Sequence, residues 1–202
     1  WKAYALRPCA SQQDFPDAAT VTGGVIESAH TTLTLDGRGA IVSLIDQARG
    51  GREWVRPRDG LAFNDPGGGG AGTISVDSSG PVAVTLRADS SVPLAHATWI
   101  TVYAHSPRID IHNVIAQNFD AAQTWTFSAA VDAPRVWHEE VGAVILARTV
   151  SDGGHYADAL ARYDWLTLNH FAAMTGADGG GLLLSNVDCC FMKLGDSTPE
   201  AL

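Results

Sequence analysis

The chain has 202 residues, 46% hydrophobic and 17% charged, enough for one sizeable core. Thirteen basic against 22 acidic residues leave a net charge of −9. With no Lys/Arg cluster to offset that charge, nucleic acid is excluded as a partner. The longest apolar run, Val141 to Ala147, falls well short of the ~20 residues of a membrane-spanning helix, and the opening WKAYALRP lacks the layout of a secretory signal, so no membrane partner is expected.

In chain order, the first clear pattern is period-two alternation in TTLTLD, Thr31 to Asp36, which sets Leu33 and Leu35 against threonines. The turn DGRG leads into a second strand, AIVSLID, Ala40 to Asp46, and Asp36-Gly37 and Gly39 are expected to supply the positive φ of a tight hairpin. DPGGGGAG, Asp65 to Gly72, reads as a flexible loop tip; it is no phosphate cradle, because the strand-like TISVD follows it instead of a helix. Strands are expected over Val82 to Ala88, Ala97 to His105 and Arg108 to Ala116, with Pro107 forcing a break between the last two. In Gln123 to Asp132, Trp125, Phe127, Ala129 and Val131 alternate with Thr and Ser as in a sandwich strand. Further strands are expected over Ala143 to Arg148, Gly181 to Asn186 and Cys189 to Leu194. Only YADALAR, Tyr156 to Arg162, looks helical, and it spans about two turns. Short strands at turn-punctuated intervals, without a βαβ rhythm, imply an all-β fold: two antiparallel sheets packed face to face, with little helix.

Few side chains combine into a reaction centre. His138-Glu139-Glu140 begins like a zinc-protease motif, but Gly142 stands where the second His belongs, so no metal site is expected. No GxSxG elbow is present. Cys9, Cys189 and Cys190 are odd in number, and neighbouring cysteines seldom bond each other, which favours reduced thiols and a cytoplasmic setting. Acidic surroundings raise rather than lower a thiol pKa at Cys189-Cys190, so packing under a sheet is the expected role. Trp54, Trp99, Trp125 and Trp137 are candidates for a sugar-stacking platform, with core filling as the alternative for each. A self-contained epimerase or lyase would need a His and a carboxylate converging in a cleft; His138 with Glu140 is the better-placed pair, because residues two apart share a strand face.

Three stretches, taken in order, resemble the C-terminal β-domain of glycoside hydrolase family 38, the α-mannosidases. Gly37 to Val55, GRGAIVSLIDQARGGREWV, is similar to a hairpin of that family. HSPRIDIHNVI resembles one of its strand pairs, and DWLTLNHFAAMTGADGGGLLLSNVDCCFMKLG resembles its strand, glycine turn and aromatic–Lys–Gly segment. WKAYALRP is similar to the strand by which those enzymes leave their helical middle domain. The resemblance implies a galactose-mutarotase-like supersandwich, one domain over 1–202 with an N-terminal strand and linker over 1–19 and the sandwich over 20–202. It implies a non-catalytic part that supports a catalytic domain elsewhere on the same polypeptide and is associated with mannosides. Zinc and the nucleophilic Asp would belong to that other domain, so no catalytic residue and no cofactor are expected here. Trp54, Trp137, His138 and Glu140 are the candidate carbohydrate contacts.

Overall fold

The computed structural model describes residues 2–5, 14–161 and 165–194. Contacts divide the chain into two compact units, Trp1–Ala129 and Ala130–Leu202, where the sequence suggests a single sandwich. Both are built from antiparallel strands. No helix among the described residues is long and apolar enough to cross a membrane.

The first unit carries β1 (Ala19–Thr22), β2 (Val25–Ser28), β3 (Thr31–Leu35), β4 (Ile41–Asp46), a 3-10 turn (Gln47–Arg49), β5 (Arg52–Glu53) and β6 (Phe63–Asp65). These are followed by β7 (Gly72–Ser78), β8 (Ala83–Ser90), β9 (His96–Tyr103), β10 (Ser106–Ile115) and β11 (Thr126–Phe127). One sheet runs β1-β2-β3-β4-β6-β11 with β5 on β4, and a second runs β10-β9-β8-β7. Alternation places Ile26, Leu33 and Ile41 of the first sheet, and Val84, Leu86 and Ile100 of the second, at no more than 1% exposure. Each such side chain contributes roughly 1.5–3 kcal/mol by leaving water.

Close contacts join the two sheets into a sandwich. A Cβ on Gly39 would lie 2.6 Å from Thr98 Cβ, and one on Gly37 would lie 2.7 Å from the Gly72 carbonyl oxygen. The expected hairpin is present, with Leu33 opposite Leu44, but its glycines divide the work differently. Gly39 has φ 88°, whereas Gly37 is needed because backbone approaches it from across the core. The Asp36 carboxylate accepts from the N–H groups of Arg38 and Ala40 at 2.8 and 3.0 Å, which closes the turn.

Pro107 does not end a strand. It sits inside β10 where pairing to β9 is interrupted by a register shift between Ser106 and Ile109, so its missing N–H costs no ladder bond. The glycine loop is anchored: Asp65 accepts from Gly67 N at 2.8 Å, and Arg38 Nη1 donates to Gly67 O at 2.7 Å. The expected strand over Gln123 to Asp132 shrinks to Thr126–Phe127. A register shift interrupts pairing there, and the flanking backbone bonds irregularly, Ser128 N to Ala62 O and Arg56 N to Ser128 O. Phe127 still packs edge-on against Phe63 at 4.8 Å.

The second unit carries β12 (Arg135–Glu140), β13 (Ala143–Leu146), β14 (Trp165–Thr167), β15 (Phe171–Thr175), β16 (Gly181–Ser185) and β17 (Phe191–Lys193). Its sheet runs β13-β12-β15-β16, and β14 pairs with β17 as a ribbon. Tyr156 to Ala161 is not helical: Tyr156 bridges to Thr149, and Leu160 has φ 59°, which a right-handed helix does not accept. Arg162, the last residue of that expected helix, lies outside the described residues, as do Trp1 and Leu6 to Pro8 in the N-terminal segment; 2–5 form no strand. Cys189 and Cys190 are exposed free thiols, not core residues, because they occupy the turn before β17; Cys9 is outside the described residues.

Candidate functional site

In the second unit, β12 projects His138 and Glu140 to one face and Trp137 to the other, as strand alternation requires. His138 is fully buried. Its Nδ1 lies 3.0 Å from Thr167 O, and because a carbonyl only accepts, Nδ1 donates. That leaves Nε2, 3.1 Å from the Tyr156 hydroxyl, as the acceptor. The same hydroxyl lies 3.5 Å from Glu140 Oε1, which also accepts from Thr167 Oγ1 at 3.2 Å. Tyr156 stacks on the His138 ring with 6.1 Å between centroids. Burial, followed by the Glu140 charge and hydrogen bond, pushes the Tyr156 phenol up to about 12.

His138 and Glu140 therefore do converge, as their spacing suggests, but on Tyr156 rather than in a cleft. A phenol held that high stays protonated and donates; it is no base at neutral pH. The buried imidazole ties β12 to β14 and offers no open ring edge to a substrate. Tyr156 and Thr167 complete the cluster and escaped the sequence reading, since they stand 18 and 29 residues from His138.

Trp137 is half-buried beneath Arg135, whose guanidinium carbon sits 5.2 Å from the ring centroid, and its Nε1 donates to Thr175 Oγ1 at 3.3 Å. Trp54 belongs to the first unit and is 2% exposed, with the Arg52 guanidinium carbon 4.0 Å from its ring centroid. It fills core and presents no open face. Burial opposes ionisation of the neighbouring Asp46, but hydrogen bonds from Arg49 and Trp54 outweigh it and hold that carboxyl below its ordinary range. Trp125 is half-buried, and its Nε1 is buried without a hydrogen-bond partner. Within the second unit His138 and Glu140 meet while Trp137 faces away from them, and Trp54 is buried in the first unit.

The outer face of β7–β10 holds the fourth indole. Across the ladders, Ser75, Arg87, Trp99 and His112 form one row. Arg87 covers one side of the row's indole at 4.9 Å from the ring centroid, and His112 stacks at 5.5 Å from the opposite strand. Trp99 Nε1 donates to Asp77 Oδ1 at 3.3 Å. Among the described residues, no three His, Cys, Asp or Glu side chains converge as metal ligands.

A scan against protein-family models matches none, and a search of curated proteins finds no similar one.

Proposed function

We propose that this chain is the C-terminal, non-catalytic β part of an α-mannosidase-like glycoside hydrolase, supporting a zinc-bearing catalytic domain on the same polypeptide and associating with mannosides. One observation carries the reading: the stretches that resemble glycoside hydrolase family 38 follow one another in family order and fall on paired strands. Gly37 to Val55 contains β4 and its return to β5, HSPRIDIHNVI supplies β10 against β9, and the last stretch supplies β14 to β17. The site chemistry agrees, for the buried His138–Glu140 cluster is closed over by Tyr156 and ties strands together.

The native polypeptide bearing this sequence provides the test. Its sequence should include an upstream α/β domain with zinc ligands and a carboxylate nucleophile, and equimolar zinc should co-purify with it. A native polypeptide without such a domain overturns the proposal.

A further inference from the structure

We infer that the outer face of β7–β10 carries a binding site for a neutral pyranoside, seated in the trough beside Trp99. The trough measures about 590 Å³. Its depth comes from a contrast in side-chain size between neighbouring cross-strand rows. The row Arg87, Trp99, His112 is tall, while the next row sets Asp89, Ala97 and Val114 side by side. Ala95 and Ala116 extend the low floor. Ala97 is only 8% exposed although its side chain points outward, because it lies at the bottom of this step.

The lining selects its ligand by charge and shape. Arg87 and Asp89, two apart on β8, form a planar fork, with Nε donating to Oδ2 at 2.8 Å and Nη2 to Oδ1 at 2.6 Å. The fork leaves Nη1 as a donor beside carboxylate lone pairs as acceptors, with no net charge between them. A pair of neighbouring hydroxyls satisfies such a donor–acceptor edge. An anion does not, because Asp89 neutralises the guanidinium and Asp77 adds a further negative charge at the indole. The Ala97, Val114 and Ala116 floor suits the C–H face of a sugar ring. Arg87 and His112 flank the indole, so Trp99 offers its edge as a wall and is no stacking platform. The inference rests on this lining alone and stands apart from the identity of any parent enzyme.

The full 202-residue chain, labelled with ¹⁵N, is titrated with mannobiose, with methyl glucuronide as the anionic control. The six indole N–H signals are followed, Trp99 being assigned by Trp99→Phe. A saturable shift of the Trp99 indole with mannobiose, at least tenfold weaker with the glucuronide, is the expected result. Val114→Trp fills the trough at an exposed position and should abolish the shift, while Asp89→Asn should weaken binding at least tenfold; both should retain native amide dispersion. No Trp99 shift, a stronger response to the glucuronide, or undiminished mannobiose binding by folded Val114→Trp overturns the site. A response confined to Trp137 overturns it too, yet leaves the glycosidase reading intact.

Discussion

Asn64 and Asn113 form a reciprocal amide pair between the two sheets of the first unit. Asn113 Nδ2 donates to Asn64 Oδ1 at 2.7 Å, and Asn64 Nδ2 donates back to Asn113 Oδ1 at 3.2 Å and to Gly39 O at 3.2 Å. Thr98 Oγ1 adds a 2.7 Å bond to the same Asn113 oxygen. Asn64 is fully buried with φ 52°, a left-handed conformation that Asn accepts more readily than most residues. Asn64→Ala removes the pair, strands the Asn113 amide and keeps the backbone demand. A loss of about 2–4 kcal/mol is expected in urea denaturation. Asn64→Gly, which suits the backbone, should lose less; equal losses would mean that backbone strain plays no part.

Asp65 contributes to the acid side of stability, together with Asp46 and Glu53, whose carboxyls are also held low. Burial works against the Asp65 charge, but the N–H groups of Ala62 and Gly67 and the Arg38 guanidinium outweigh burial and hold its carboxyl below the ordinary 3.8. Because the folded value is depressed, the stabilisation is complete above the unfolded value and is lost as pH falls through the folded one. Denaturation midpoints measured from pH 7 to pH 2.5 should fall steeply below about pH 4. Asp65→Asn should make that fall shallower and cost about 3 kcal/mol at pH 7, since it leaves Arg38, 9% exposed, with Asp36 as its remaining carboxylate.

On the alkaline side two phenols contribute, Tyr103, raised by its hydrogen bond to Asp110, and Tyr156. The Tyr156 phenol binds a proton more tightly folded, at about 12, than unfolded, at 10.0. The contribution is therefore intact below pH 10 and disappears as pH climbs toward 12. Tyr156→Phe should reduce this alkaline slope, leaving the part due to Tyr103. It should also destabilise at pH 7 by about 1–3 kcal/mol, because it leaves buried His138 Nε2 without a donor. An unchanged slope in the variant would assign the alkaline loss to another group.

Strand alternation made the β3–β4 hairpin and β8 to β10 legible, because each has one face in water and one in the core, as in β8, where Val84, Leu86 and Ala88 are buried between half-exposed neighbours. It failed for β6, whose Phe63, Asn64 and Asp65 are all buried, and for β1 and β2, which span four residues each and show too few alternations. YADALAR has helical composition, but Tyr156 is pinned by its bridge to Thr149 and its bond to His138, contacts that no local propensity registers. The His138–Glu140 pairing followed from spacing alone, whereas the Asn64–Asn113 pair joins residues 49 apart and becomes visible only once the sheets face each other.

The Arg52–Trp54 stack gives a further check on which indoles are core. At 2% exposure Trp54 should resist acrylamide quenching and contribute blue-shifted emission. Trp54→Ala should cost about 3–5 kcal/mol, a cavity-scale loss. A variant as stable as the parent would return Trp54 to the surface and to the set of possible sugar contacts.

Hydrolysis of a nitrophenyl α-mannoside in the presence of zinc tests the central claim most directly. The isolated 202-residue chain should release no nitrophenol above the blank, while the native polypeptide that carries it should turn the substrate over. Turnover by the isolated chain, or none by the native polypeptide, would contradict the account.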